Sequence, residues 1–394
     1  MTTDLDLTDP AFVADPYPAL AELRAAGELL WHSPSGRWLA TTHGAVSAVL
    51  RHRAFGRIWV DHEPTGRMEP FNTLHRNQLM ENEPPEHTRM RRLLAGAFGR
   101  GHVERMRPRI ESLAAEMAGR LGPRADLLAD FAEPLPVFVI ADLLGFPRED
   151  HVSLREWSQA IVHMYEPSVD EATKQAAVEA STAFADYVRA VIDERRGRPG
   201  DDLVTDLIAA RDEGEKLSDE ELVATVVLLL NAGHEASVNT FGNGLVALLA
   251  HPDQEARVRS GAVDVPTALE ELIRYDAPLQ LFERTATGDA EIVGTPVRAG
   301  QKVACLMGSA NRDEAVFERA DAFDVARDPN PHVGFGLGRH FCLGAPLARL
   351  ELGISLRVLL EHFGRIELVE SPRRPTWVLR GYASLVCDLG ERHD

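Results

Sequence analysis

The chain has 394 residues, 44% of them hydrophobic and 26% charged, with a formal net charge of −19. This is a globular composition in a chain long enough to enclose a cofactor, and its negative balance argues against non-specific binding to nucleic acid, whose phosphates it repels. Three cysteines, at 305, 342 and 387, are too few for a disulfide framework and fit a reducing cytoplasm.

The N-terminal stretch MTTDLDLTDPAFVADP is acidic and lacks the basic-then-apolar pattern of a secretory signal. No run approaches the roughly 20 apolar residues that span a bilayer, so the chain reads as cytoplasmic, with no membrane partner. Residues 23–30 (LRAAGELL) carry helical spacing, and ELLWHS and GRWLATT read as strands. Residues 54–85 break the periodicity through Gly56, Pro64, Gly66, Pro70, Pro84 and Pro85, and read as a long irregular segment, either a functional lid or binding loop or a surface loop with no role. Helical spacing governs residues 103–121 and 171–196.

A helix of about 30 residues is predicted from near Ser218, where Ser218 and Glu221 match a capping box. At 1.5 Å per residue it is roughly 45 Å long and must cross the centre of the fold. Asn231, Gly233, His234 and Glu235 interrupt its apolar character halfway. Gly233 lowers helix propensity by up to about 1 kcal/mol relative to Ala and favours local opening there. Further on, Glu271 and Arg274 stand three apart, on one helix face. Strands are expected within 291–309 and in SLVCDLG, 384–390. With no linker or repeat, residues 1–394 read as a single, mainly α domain with small β-sheets.

The densest chemical signal is HVGFGLGRHFCLGAPLARLELG, residues 332–353. Cys342 follows Gly334, Gly336 and Gly338 and precedes Gly344, with Pro346 placed for the first turn of a helix. Glycines allow close backbone approach, and a helix N-terminus stabilises an anionic sulfur. A structural zinc site would need more ligands at paired spacing. A cysteine nucleophile would need a base, for which His340 is the nearest candidate. A single axial thiolate on haem iron suits the glycines and Phe335 better. Cys305 and Cys387 lie in apolar strand-like runs and read as core residues.

FGLGRHFCLGAPLAR, residues 335–349, resembles the haem-binding signature of the cytochrome P450 superfamily, specifically its bacterial soluble members. The resemblance extends over nearly the whole chain. It implies the cytochrome P450 fold, with haem b (iron protoporphyrin IX) between the long central helix and the helix following the Cys loop. Cys342 would hold the iron, and Phe335, Gly336, Gly344 and Ala348 would belong to the cofactor site. Glu271 and Arg274 match the family's Glu-x-x-Arg network, with Arg327, or less well Arg319, completing it. His87, Arg91, Arg284 and His340 match positions that meet the haem propionates, a role for which cationic donors are suited.

Residues 232–237 (AGHEAS) resemble the oxygen-activation segment, implicating Gly233, Glu235, Ala236 and Ser237. Here the chain departs from the family. Ala236 takes the place of the usual Thr, and the alcohol comes one residue later as Ser237. One helical step is about 100° of rotation, so Ser237 is expected to point elsewhere. A substrate hydroxyl or an ordered water would then assist proton delivery. The implied reaction is monooxygenation: one atom of O₂ enters a hydrophobic small molecule of secondary metabolism. Leu79, Met80, Leu229, Ala232, Pro278, Leu279, Leu281 and Phe282 are pocket candidates. Electrons would come from a separate ferredoxin and ferredoxin reductase, docking near Arg100, His102 and Arg339. Oxidative coupling, peroxide-driven turnover and a non-catalytic haem sensor remain alternatives because of Ala236. A cysteine-nucleophile hydrolase is a more distant one.

Overall fold

The computed structural model describes residues 1–165 and 169–392, with the side chains of Ala97 and Arg100 outside that description. The chain forms two compact units interleaved in sequence. One comprises Met1–Gly56, Ile110–Glu133 and Ala236–Asp394, the other Arg57–Arg109 and Pro134–Glu235.

The first unit holds the sheets. Six strands lie in the order Thr2–Thr3, Leu29–His32, Arg37–Ala40, Lys302–Leu306, Leu281–Ala286 and Phe55–Gly56. Arg37–Ala40 pairs parallel with Lys302–Leu306, bringing Leu39 opposite Ala304. Leu281–Ala286 runs antiparallel on the other side of that strand, with Phe282 opposite Cys305 and Arg284 opposite Val303. Cys305 therefore faces a core of Val46, Val49, Phe55, Val303 and Met307. A three-stranded sheet joins Ile366–Glu370, Val386–Leu389 and Arg124–Asp126. Cys387 is buried in it.

The second unit is helical. Glu171–Gly197 starts at Asp170, whose carboxylate accepts the Thr173 N–H at 2.8 Å. The periodic reading fails between 54 and 85, where Thr65–Arg76 is a helix despite Pro70. Met68, Phe71, Leu74 and His75 recur at helical spacing and are all buried, and that burial outweighs the one hydrogen bond a proline removes. His75 lies between aromatic rings: Trp59 stacks on it at 4.8 Å and Phe71 at 4.0 Å. Its Nδ1 meets the Phe71 carbonyl at 2.8 Å and its Nε2 the Tyr165 hydroxyl at 3.0 Å. Burial, only partly offset by that carbonyl, pushes the His75 imidazole down to about 4.

Two further expectations change. Residues 103–121 split into Arg100–Arg105 and Arg107–Arg120; Pro108 has no N–H to continue the ladder. The helix read across residues 23–30 ends at Ala26, and Leu29–His32 is a strand, because Gly27 interrupts the helix.

The long helix is Asp219–Leu249, 31 residues. Its capping box is reciprocal: the Ser218 N–H donates to Glu221 at 2.8 Å and the Glu221 N–H to the Ser218 hydroxyl at 3.2 Å. By length and composition it could cross a bilayer, contrary to the reading that no stretch qualifies; yet 72% of its most apolar window is buried in the protein, as in a core helix. Gly244 is needed for its packing: a Cβ there would stand 2.8 Å from the Leu272 Cβ.

Candidate functional site

Cys342 ends a tight loop. Its N–H donates to the Phe335 carbonyl at 3.0 Å, and Gly336 and Gly338 take φ of +69° and +70°, a region that favours glycine. Three residues later, Ala345–His362 begins, with Pro346 in its first turn. The sulfur thus stands at the N-terminal, electropositive end of an 18-residue helix. It is half-buried, whereas Cys305 and Cys387 are buried and their thiols are pushed up to about 12 by desolvation. Among the described residues, no three His, Cys, Asp or Glu side chains gather as a metal-ligand set. The donor set is one accessible sulfur in a glycine loop. That would suit an iron whose other ligands come with its own macrocycle.

Behind the loop, Glu271 is completely buried and fully paired. Its carboxylate accepts Arg274 Nε and Nη2 at 2.7 and 2.8 Å, Arg327 Nε at 3.1 Å, the Asp324 N–H at 2.9 Å and Asn330 Nδ2 at 3.1 Å. Arg274 Nη1 donates to the carbonyls of Asn311 and Ala320 at 2.7 and 2.8 Å. Arg319 is exposed and meets Asp324 instead, at 3.6 Å; Arg327 is the arginine that completes the network.

A second acidic hub was not foreseen. Glu270, one residue earlier, accepts Arg349 Nε and Nη2 at 2.6 and 2.8 Å and His332 Nε2 at 2.9 Å. Arg349 also lies over the Phe335 ring at 4.4 Å. Partial burial alone would raise the Glu270 carboxyl, but the donors on Arg349 and His332 outweigh it and hold the carboxyl at about 2. These partners are 62 and 79 residues away in sequence, so no spacing announces them. Glu351, on the helix after Cys342, is 3% exposed, and desolvation pushes its carboxyl up to about 8.

Candidate cationic positions fall in both units. In the first, Arg284 is buried, donates to the Glu283 carbonyl at 2.9 Å and stands over Phe282 at 5.1 Å. His340 ends the turn Gly338–His340 and is half-buried. In the second, His87 is buried and Arg91 half-buried, one turn apart on Glu86–Ala97. That helix is tied to the start of the central helix by the Arg89–Glu221 ion pair.

The central helix is α-helical throughout, so the expected opening at Gly233 does not occur. The missing side chain instead makes room for Ile140, whose atoms lie 3.1 Å from where a Cβ would stand. Ala232 and Ala236, one turn apart, are exposed in the middle of this mostly buried helix. Leu229, Gly233 and Glu235 are half-buried, and Ser237 is buried. Among the apolar pocket candidates, Leu79 is buried and Met80 half-buried at the turn Leu79–Glu81. Pro278 is buried and Leu279 half-buried, bridged to Leu379. Leu281 packs on the core containing Leu20 and Leu306, and Phe282 on that containing Cys305. Gly344 and Ala348 flank the start of the helix after Cys342, both half-buried.

Of the docking candidates, His102 is paired with Asp206 at 2.9 Å and Arg339 donates to the Arg53 carbonyl at 3.2 Å. The Arg100 side chain lies outside the described residues.

The family model for cytochrome P450 matches residues 149–262 and 265–378. The chain is 37% identical over 398 residues to cytochrome P450 monooxygenase PikC of Streptomyces venezuelae, covering 97% of this chain and 93% of that protein. It is 40% identical over 339 residues to mycinamicin IV hydroxylase/epoxidase of Micromonospora griseorubida, covering 84% and 83%. Among solved structures, P450BioI in complex with an acyl carrier protein carrying hexadec-9Z-enoic acid superposes with a TM-score of 0.90 at 31% identity, covering 96% of this chain and 99% of that one. With a lone accessible thiol at the head of a helix, a buried Glu271–Arg274–Arg327 network and these relatives, the chain belongs to the cytochrome P450 family and is a monooxygenase with its fold.

Proposed function

We propose that residues 1–394 act as one haem domain in which Cys342, as thiolate, would hold the iron of haem b. When bound, the haem would supply the O₂ activation of monooxygenation, in which one oxygen atom enters the substrate and the other leaves as water with two electrons and two protons from outside. The observation that carries this is the contrast among the three cysteines: only Cys342 is accessible, at a helix N-terminus in a glycine loop. His87, Arg91, Arg284 and His340 would neutralise the propionates, and Phe335, Gly336, Gly344 and Ala348 would border the macrocycle. Glu235 holds and passes protons. Ala236 offers no hydroxyl beside it, and the burial of Ser237 supports the view that this alcohol is turned away. A hydroxyl on the substrate, or a water it orders, completes the proton route.

The substrate is a hydrophobic small molecule of bacterial secondary metabolism, a reading supported by relatives named for polyketide biosynthesis and for mycinamicin IV hydroxylation and epoxidation. Leu79, Met80, Leu229, Ala232, Leu279, Leu281 and Phe282 supply apolar surface for it. Electrons come from a cytoplasmic ferredoxin with its reductase, docking at Arg339 and neighbouring cations. Charge reversal at Arg339 that left the electron-transfer rate unchanged would remove that docking site.

The test is spectroscopic. The dithionite-reduced protein with carbon monoxide should show the strongly red-shifted Soret band of thiolate-ligated haem, and Cys342→Ala should lose it. A red-shifted band that persists in Cys342→Ala excludes this ligand.

A further inference from the structure

The cysteine loop is bracketed. His332 stands ten residues before Cys342 and Arg349 seven after it, and both bind the same carboxylate, that of Glu270. At the front of the loop, His332 Nδ1 accepts the Gly334 N–H at 3.1 Å, so the ring is held at both nitrogens. At the back, Arg349 grips Glu270 with two parallel bonds of 2.6 and 2.8 Å and lays its guanidinium on Phe335 at 4.4 Å. Phe335 is the residue whose carbonyl accepts the Cys342 N–H, at 3.0 Å. One acid therefore restrains the loop before the cysteine, the helix after it and, through Arg349, the residue that hydrogen-bonds the cysteine backbone.

None of these groups belongs to the buried network beside it. Glu271 points to Arg274 and Arg327, while the adjacent Glu270 serves His332 and Arg349. The two hubs also differ in burial. Side-chain exposure is nil for Glu271 and Arg274, but 27% for Glu270 and 37% for Arg349. A partly exposed pair contributes little to global stability, yet its two-point geometry is directional. A brace of this kind fixes position more than it holds the fold together.

We propose that Glu270 is a positioning residue for the iron-binding thiolate, acting through Arg349 and His332 to hold the Phe335–Cys342 turn in the geometry that makes the sulfur a strong donor to iron. The proposal rests on the assignment of Cys342 as ligand. A rigid turn would keep the sulfur close to the iron, and thiolate donation holds the reduction potential low. Loosening the brace weakens that donation.

The experiment compares wild-type holoenzyme with Glu270→Gln and Arg349→Lys. Glu270→Gln removes the charge at nearly constant size; Arg349→Lys keeps the charge but loses the two-point grip and the stacking. Two quantities are read: the haem reduction potential, and the lifetime of the red-shifted ferrous–CO band before it converts to the blue-shifted form of an iron without its thiolate. Both variants are expected to raise the potential and to shorten that lifetime severalfold, and Glu270→Asp to recover part of both. If Glu270→Gln does not load haem, Arg349→Lys decides. Potentials and lifetimes indistinguishable from wild type overturn the brace, whatever the melting temperatures do. A wild-type protein without the red-shifted band overturns the ligand assignment itself, and the brace with it.

Discussion

Arg274 grips both oxygens of Glu271, at 2.7 and 2.8 Å, with neither side chain accessible to solvent. Every remaining donor on the Arg274 guanidinium head meets a carbonyl, and the carboxylate accepts from Arg327, Asn330 and the Asp324 N–H besides. Removing Glu271 strands the buried Arg274 guanidinium, and removing Arg274 takes away the two-point partner of a buried carboxylate that keeps only Arg327 as a cation. Glu271→Gln and Arg274→Met are therefore each expected to cost about 3–5 kcal/mol, measured as the loss of unfolding free energy in urea. The double variant should cost less than the sum of the two, because the second removal strands no further charge.

His75 makes stability depend on acid. Its imidazole sits at about 4 in the folded chain against a reference of 6.5, so between those values the unfolded chain binds the extra proton. Its contribution is complete above pH 6.5 and is lost as pH falls toward 4, amounting to about 3 kcal/mol in all. Urea unfolding of wild type and His75→Gln over this range should show their difference shrinking as pH falls. A difference independent of pH would exclude a buried neutral imidazole.

Glu351 acts in the opposite sense. Its folded carboxyl, near 8 against a reference of 4.5, keeps its proton while the unfolded chain has lost it. The protonated form favours folding below pH 4.5, and that advantage disappears as pH rises toward 8, by ~5 kcal/mol at most. Glu351→Gln, permanently neutral, should match wild type near pH 5 and be the more stable protein at pH 8 and above.

The proton route separates three neighbours on one helix. Glu235→Gln is expected to slow product formation by about a hundredfold, the effect of losing a positioned proton donor. Ser237→Ala should leave it nearly unchanged, since Ser237 is buried while Ala236 is exposed. Ala236→Thr should raise the fraction of reductant converted to product for a substrate analogue stripped of hydroxyl groups. Quantifying product against reductant consumed distinguishes the three.

The features legible in the chain were local ones. Ser218 and Glu221 announce the central helix because a capping box is complete within four residues. Glu271 and Arg274 are readable as a pair because helical spacing brings them together. Thr65–Arg76 was hidden because Pro70 and Gly66 mark a break, although Met68, Phe71, Leu74 and His75 carry the helical repeat beneath it. Gly233 misled in the other direction: its low helix propensity suggests opening, whereas the tertiary contact with Ile140 uses the absent side chain. Glu270 was illegible because its meaning lies in His332 and Arg349, distant in sequence and brought to it by the fold.

The burial of Cys305 and Cys387 has a practical corollary. Thiolate, not thiol, reacts with alkylating reagents, and two of the three sulfurs are both shielded and held protonated by desolvation. Native protein stripped of its cofactor should consume one equivalent of iodoacetamide quickly, and the loaded form almost none. With Cys342 as the proposed iron ligand, iodoacetamide uptake would gauge cofactor occupancy with neither light absorption nor turnover.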